Sequence, residues 1–305
     1  VNNVPAGAAL AISDTTSNIT IGSSGVSGSS DSTAITMAAV TGSADVSLAG
    51  IENISINSLS ANTIDLVATS AKSLTLSGDS AMTIGNLNTS GATKIYTVDA
   101  SESTGAVKLT TGSLSGVTPS QDVTITGGSG ADDFDVSGHS ISDLNVSGGA
   151  GNDRITAAPV TTDTLAGGDG TDTLELTAAV AAANTNITGF EKLQLTGNIS
   201  QDADNISGNA LASLTIATTG NAGLTDAPAS VATLVLNSVA IGNNTGTITL
   251  DRKADTTEDA LLLSSAGATS GTVTVNDEEA LTVSSTVAAS TITTLNAADV
   301  TSITV

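Results

Sequence analysis

Three segments of the chain combine glycine and aspartate at a spacing suited to metal chemistry. Gly127 to Asp135 reads GGSGADDFD, Gly148 to Thr156 reads GGAGNDRIT, and Gly167 to Glu175 reads GGDGTDTLE. All three fit the nonapeptide G-G-x-G-x-D-x-U-x, with Phe134, Ile155 and Leu174 at the large apolar position U. Glycine at the first, second and fourth positions permits positive φ and lets carbonyl oxygens turn inward. Asp132, Asp153 and Asp172 add carboxylate oxygens. Carbonyls and carboxylates together are hard donors, the kind from which Ca2+ builds its shell of about six to eight oxygens. The candidate ligand positions are therefore Gly127, Ser129, Gly130 and Asp132, then Gly148, Ala150, Gly151 and Asp153, then Gly167, Asp169, Gly170 and Asp172.

One such turn cannot complete a shell, so the ligands must come from turns stacked one coil apart. The first glycines are separated by 21 and 19 residues, close to two nonapeptides. The spacing predicts three turns in register along one edge, with two Ca2+ between them. Glycine turns without metal are the competing interpretation, against which three full matches at coil spacing count heavily. A dinucleotide site is excluded, because no helix follows to offer its N-terminus to phosphate.

Other chemistry is poorly provided for. His139 is the one histidine and cysteine is absent, so no zinc cluster can form, and neither HExxH nor a GxSxG elbow occurs. Asp277-Glu278-Glu279 and Glu258-Asp259 are read as solvated turns, with a further Ca2+ held by Asp255, Glu258 and Asp259 as the alternative. Arg252-Lys253 is read as an ordinary surface pair. Polysaccharide-degrading enzymes are the competing class, but their sites need paired acids and aromatic platforms. Tyr96, Phe134 and Phe190 are too scattered for that, and the two Phe read as core. The chain is expected not to be an enzyme.

The positioning elements follow from composition. Of 305 residues 39% are hydrophobic but only 1% aromatic, so Val, Ile, Leu, Ala and Thr must fill the interior. Such side chains suit narrow, repetitive β structure. Short alternating stretches recur, among them Leu74-Thr75-Leu76, Val123-Thr124-Ile125, Leu193-Gln194-Leu195, Leu234-Val235-Leu236, Ile248-Thr249-Leu250, Val273-Thr274-Val275 and Leu281-Thr282-Val283. Gly, Ser, Asn or Asp bounds each one. Leu176 to Asn184 alone invites a helix.

A longer unit repeats three times. Glu52, Glu191 and Glu279 each open an alternating strand, and a second strand follows, its central Thr 23, 24 and 25 residues after the Glu. Unless this is chance similarity in a low-complexity chain, it marks the coils of a parallel β-helix, about fifteen at roughly 20 residues each. Residues 1–120 are assigned to solenoid coils, 121–176 to calcium-binding coils continuous with them, and 177–305 to further coils.

Charge narrows the partners. Thirty Asp and Glu against seven Lys and Arg give a formal net charge of −23, which disfavours nucleic acid and anionic membrane surfaces. Solubility alone would explain the acids, and so would contact with divalent cations. No apolar run reaches the roughly 20 residues of a membrane span. The polar start at Val1 and the strand-like end Ile303-Thr304-Val305 read as a piece of a longer protein.

The nonapeptides resemble those of RTX proteins exported by type I secretion. The wider texture resembles RTX-type bacterial surface-layer (S-layer) proteins, notably in Gly167 to Gly197, Ile64 to Leu87 and Tyr96 to Gly112. The specific motif covers only about 50 residues, and segments such as Val136 to Ser147 lack the glycine pattern. The resemblance implies a right-handed parallel β-helix with Ca2+ between coils and export of an unfolded chain. It further implies folding outside the cell and self-assembly into a two-dimensional lattice, attached to lipopolysaccharide through a region not present here. An RTX adhesin or extension module is the alternative.

Overall fold

The computed structural model describes residues 4–5, 7–24, 28–88, 95–111, 122–138, 143–237, 244–254, 259–265, 269–285 and 290–305. His139, Asp255 and Glu258 lie outside them. The architecture is all-β, a β-solenoid of parallel sheets, with one short 3-10 helix, Ala203–Ile206, among the described residues. By contact the chain divides into two compact units, Val1–Thr156 with Thr162–Gly170, and Ala157–Thr161 with Thr171–Val305. The coils expected at 121–176 are shared between the two.

In the first unit successive strands alternate between two sheets, so each strand pairs with the one two places later. One sheet runs Ala9–Thr15, Ser32–Val40, Asn53–Ser58, Ser73–Gly78, Thr97–Ser103, Val123–Thr126, Leu144–Ala150 and Thr164–Asp169, all parallel. The other contains Ala44–Leu48, Asn62–Ala68, Met82–Asn88, Val107–Thr111 and Asp133–Asp135, also parallel. The second unit repeats the scheme, with Lys192–Leu195, Ser213–Ile216 and Thr233–Leu236 in one sheet and Ala222–Ala227, Thr247–Arg252 and Thr269–Val275 in the other.

Period-two alternation sends every second side chain inward, and parallel register stacks those side chains in rows. Ile54, Leu74, Val98, Ile125, Val146 and Leu165 form one such buried row in the first unit. Phe134 and Phe190 are fully buried, as expected of core. Of the stretch from Leu176 to Asn184, Leu176 ends the strand Thr173–Leu176 and the rest is irregular instead of helical. Its backbone is captured from the next coil, where Gln201 Oε1 accepts the Val180 N–H at 2.9 Å. The solenoid makes about 12 turns, fewer than fifteen. Stacked partners lie up to 25 residues apart at Val107–Asp132 and 26 at Arg252–Glu278, because loops lengthen the coils.

The Glu-headed repeat has a structural cause. Asp31 N–H donates to Glu52 Oε2 at 2.9 Å, and the N–H groups of Glu52 and Asn53 donate back to the Asp31 carbonyl at 3.1 and 3.0 Å. Asp172 with Glu191 and Asp259 with Glu279 repeat this pattern, their carboxylate bonds being 2.8 and 2.9 Å. Each Glu sits one residue before a strand and reaches back one coil, meeting an N–H at the corner where the ladder ends. Elsewhere amides do the same work: Asn209 Oδ1 accepts from Phe190 N at 3.0 Å, and Asn62 Oδ1 from Val40 N at 2.8 Å. Removing the acceptor strands a part-buried donor, at a cost of about 1–3 kcal/mol. Urea denaturation of Glu52→Ala is expected to show a loss of that size, and Glu52→Gln, which keeps an acceptor oxygen, a smaller one.

Candidate metal centre

The nonapeptide turns fall at the corner where the chain passes from one sheet to the other. Parallel pairing brings Leu144 opposite Val123 and Gly168 opposite Gly149, while Arg154 lies opposite Asp133. The first two turns, and Gly167 to Gly170 of the third, therefore stack in register within the first unit. Asp172 belongs to the second unit, where it is fully buried with its N–H on Glu191.

The aspartates are built in as acceptors across coils. Asp132 Oδ1 accepts the Val107 N–H from the coil before at 2.7 Å, and its Oδ2 accepts Gly128 N–H at 2.9 Å. Asp153 Oδ1 accepts the Asp132 N–H at 2.7 Å, and Arg154 N–H returns to the Asp132 carbonyl at 2.8 Å. This is the same clasp that the Glu residues make. Asp132 and Asp153 are buried, and burial pushes the Asp132 carboxyl above the ordinary carboxylate range, the Val107 and Gly128 bonds offsetting part of the rise.

The glycines have a reason that sequence reasoning only half supplied. Positive φ occurs at the second and fourth positions of the later turns, at Gly149, Gly151, Gly168 and Gly170, but not at the first position of any turn. Gly127 and Gly148 are required for space. A Cβ on Gly127 would stand within 2.6 Å of both the Gly148 carbonyl oxygen and Asp132 Oδ2. One on Gly148 would stand under 3.0 Å from both the Gly167 carbonyl oxygen and Asp153 Oδ2. Two equivalent cradles result, each holding a carboxylate oxygen of one coil beside a carbonyl oxygen of the next.

The donors of each cradle are hard oxygens only, which fits Ca2+. Among the described residues no three Asp, Glu or His side chains converge, so a cation there would depend on backbone carbonyls for most of its shell. The remaining predicted ligands take other roles. Ser129 N–H donates to the Ser103 carbonyl and Ala150 N–H to the Gly128 carbonyl, at 2.9 and 2.8 Å. Asp169 turns its side chain to solvent, and its carbonyl accepts from Gly151 N–H at 2.8 Å. Gly130, Gly151 and Gly170 each pass against backbone of the preceding coil, with no room for a Cβ.

Two readings of charged residues are overturned in the second unit. Arg252 is not a surface residue: its side chain is buried, with Nε on Glu278 Oε1 at 2.6 Å and Nη1 on the Pro228 carbonyl at 2.9 Å. Glu278 is completely buried and Asp259 nearly so, so neither is a solvated turn acid. Coil stacking places Glu278 under Arg252, a pairing across 26 residues that local sequence does not show. The exposed Lys253 pairs with Asp204.

The fold and the turns define a β-solenoid with oxygen-lined cradles at one corner. Comparison with protein-family models, curated proteins and solved structures gives no match, so residues and geometry alone carry the functional interpretation. Among the described residues no helix is long and apolar enough to cross a membrane.

Two outcomes are expected. Gly148→Ala should destabilise the first unit by about 1–3 kcal/mol in thermal melts, since the added methyl meets backbone that cannot retreat. Arg252→Ala should cost about 3–5 kcal/mol by leaving the Glu278 charge buried and unpaired. Burial already raises the Glu278 pKa, against the pull of Arg252, and losing Arg252 raises it further. Protonated Glu278 is the tolerated form, so the variant keeps more stability at acid pH and loses it as pH rises through that pKa.

Proposed function

We propose that this chain is a calcium-stabilised, non-catalytic β-solenoid that assembles with copies of itself into a layer on the outside of a bacterial cell, as RTX-type S-layer proteins do. The observation that carries this is the pair of stacked cradles, in which Asp132 and Asp153 each meet a carbonyl of the following coil across a glycine that tolerates no side chain. Bound Ca2+ would supply the positive charge that lets a buried carboxylate and an inward carbonyl share one space.

Without that charge, Asp132 is held in a site that disfavours its ionised form, and the glycine-rich turns carry high chain entropy. Ligand that binds only the folded state stabilises it by mass action. Low calcium inside a cell would leave the chain extended enough to pass a type I channel, and higher calcium outside would close the coils. The largely aliphatic interior suits such folding, since Phe134 and Phe190 are the only phenylalanine rings that have to find a pocket. Acidic surface in excess keeps the exported chain soluble.

The test is calorimetric titration with Ca2+ alongside circular dichroism and electron microscopy. The unaltered chain should gain β signal and thermal stability on adding Ca2+, and form ordered sheets. Asp153→Ala should lower the Ca2+ stoichiometry by at least one, because it empties the second cradle of its carboxylate and frees the Asp132 N–H below it. Unchanged stoichiometry would sink the cradle assignment. Isolated rods in place of sheets would turn the reading toward an extension module.

A further inference from the structure

The second unit carries a cavity that the calcium reading does not use. It opens to solvent on the sheet that contains Ser200–Asp202, Ala222–Ala227 and Thr247–Arg252, and its volume is about 350 Å3. Parallel register places Ser200, Gly223 and Thr249 side by side on three successive coils. Leu224 and Leu250, the next residues along, are buried in the core, so this row faces outward. Gly223 has no side chain, which leaves a gap between Ser200 and Thr249. Backbone fixes that gap: a Cβ on Gly223 would stand 2.5 Å from the Thr249 carbonyl oxygen. Asn198, Asn221 and Thr247, each two residues earlier in its coil, form the neighbouring outward row and the other wall.

The lining is polar, uncharged and partly ordered in advance. Asn221 Oδ1 accepts the Thr247 N–H at 2.8 Å, and Asn198 Oδ1 accepts the Thr218 hydroxyl at 2.9 Å. Each amide is anchored through its oxygen, which keeps its NH2 group as a donor. Among the described residues the hydroxyls of Ser200, Thr247 and Thr249 have no protein partner, and each can both donate and accept. No Lys, Arg or aromatic side chain lines the space, so it offers nothing to a phosphate or a nucleobase. Asp202 and Asp251 follow two residues farther along the same strands, about 7 Å from the Ser200 and Thr249 positions. Asp202 Oδ1 accepts the Asp204 N–H at 2.9 Å, and Asp251 Oδ1 accepts the Asn276 amide at 3.0 Å. Lys253, the base nearest in sequence, is paired with Asp204, so the balance at this rim is acidic.

We infer that this cavity binds one uncharged sugar ring. A saturated ring bearing several hydroxyls donates and accepts around its whole edge, as these side chains do. The volume falls at the low end of the range for small-molecule sites and has room for one ring, not for a longer segment. The acidic rim repels sugars that carry a carboxylate or phosphate. With no aromatic face for stacking, hydrogen bonds alone hold the ring, and Kd is on the order of 1 mM. An open mouth lets the ring be one residue of a glycan, whose next residue lies outside. The site uses none of the cradle residues, and it stands whether or not copies of the chain assemble.

The test is saturation-transfer NMR on the whole chain in Ca2+. The probes are glucose, galactose and mannose, each beside its own uronate. At least one hexose should bind with Kd on the order of 1 mM, and its uronate at least tenfold more weakly. Ser200→Ala with Thr249→Val removes two hydroxyls at nearly unchanged shape and should weaken that binding at least tenfold, with circular dichroism unaltered. Thr215→Val, a like change on the other sheet of this unit, should leave it within twofold. The disaccharide of the bound hexose should bind within tenfold of the single sugar.

No saturation transfer to any of the three hexoses overturns the site. Uronates that bind as well as hexoses overturn the uncharged class. Full affinity in the double variant, or an equal loss in Thr215→Val, rules out this cavity as the place of binding. Exclusion of the disaccharide overturns a glycan as the source of the ring.

Discussion

A side-chain oxygen that reaches back one coil to a corner N–H is the contact on which this structure depends. Parallel ladders satisfy backbone groups along the strands, but at each corner the chain turns between sheets and the ladder stops. A buried N–H left there would cost as much as a lost hydrogen bond. Glu52, Glu191 and Glu279 close that gap, and Asp132 and Asp153 close it in the glycine turns. Asn62, Asn209 and Gln201 do so where no acid is present. Because each acceptor binds a residue of the preceding coil, it also sets register, and register is what stacks the aliphatic rows.

Part of the acidity therefore belongs to the fold and not to the surface. Asp132, Asp153, Asp172, Glu52 and Glu278 are all buried. Where an Arg is available, as at Arg252, the buried acid is neutralised by it. In the glycine turns Asp132 accepts from the Val107 and Gly128 N–H groups, and among the described residues no Lys or Arg is paired with it. Its carboxyl is raised by burial there, beside a carbonyl that also offers only negative charge. That contrast is why the proposed calcium dependence and the corner geometry are one question.

Much was legible beforehand because it is local. Alternation in Leu74-Thr75-Leu76 or Val273-Thr274-Val275 is a direct signature of a half-buried strand, and each of these stretches is one. The apolar position of the nonapeptide marked Phe134 and Ile155 as buried. Failures came where the deciding partner is a coil away. Leu176 to Asn184 has helical composition, but Gln201 and Asn205 from the next coil take its backbone groups. Arg252 looked like a surface residue because Glu278 is distant in sequence. The glycine at the first turn position was attributed to φ, whereas the constraint is the carbonyl of the coil above.

Composition and periodicity by themselves determined an all-β repetitive chain, its strands, and the residue types at its glycine–aspartate turns. These properties follow from φ/ψ preference and from which side chains can alternate in and out of a narrow interior. Only the tertiary structure decided which turns share a corner and which acids are buried. Each of those depends on the exact length of the loops between stacked strands, and one residue more or less in a coil sends a side chain to the other side of the sheet.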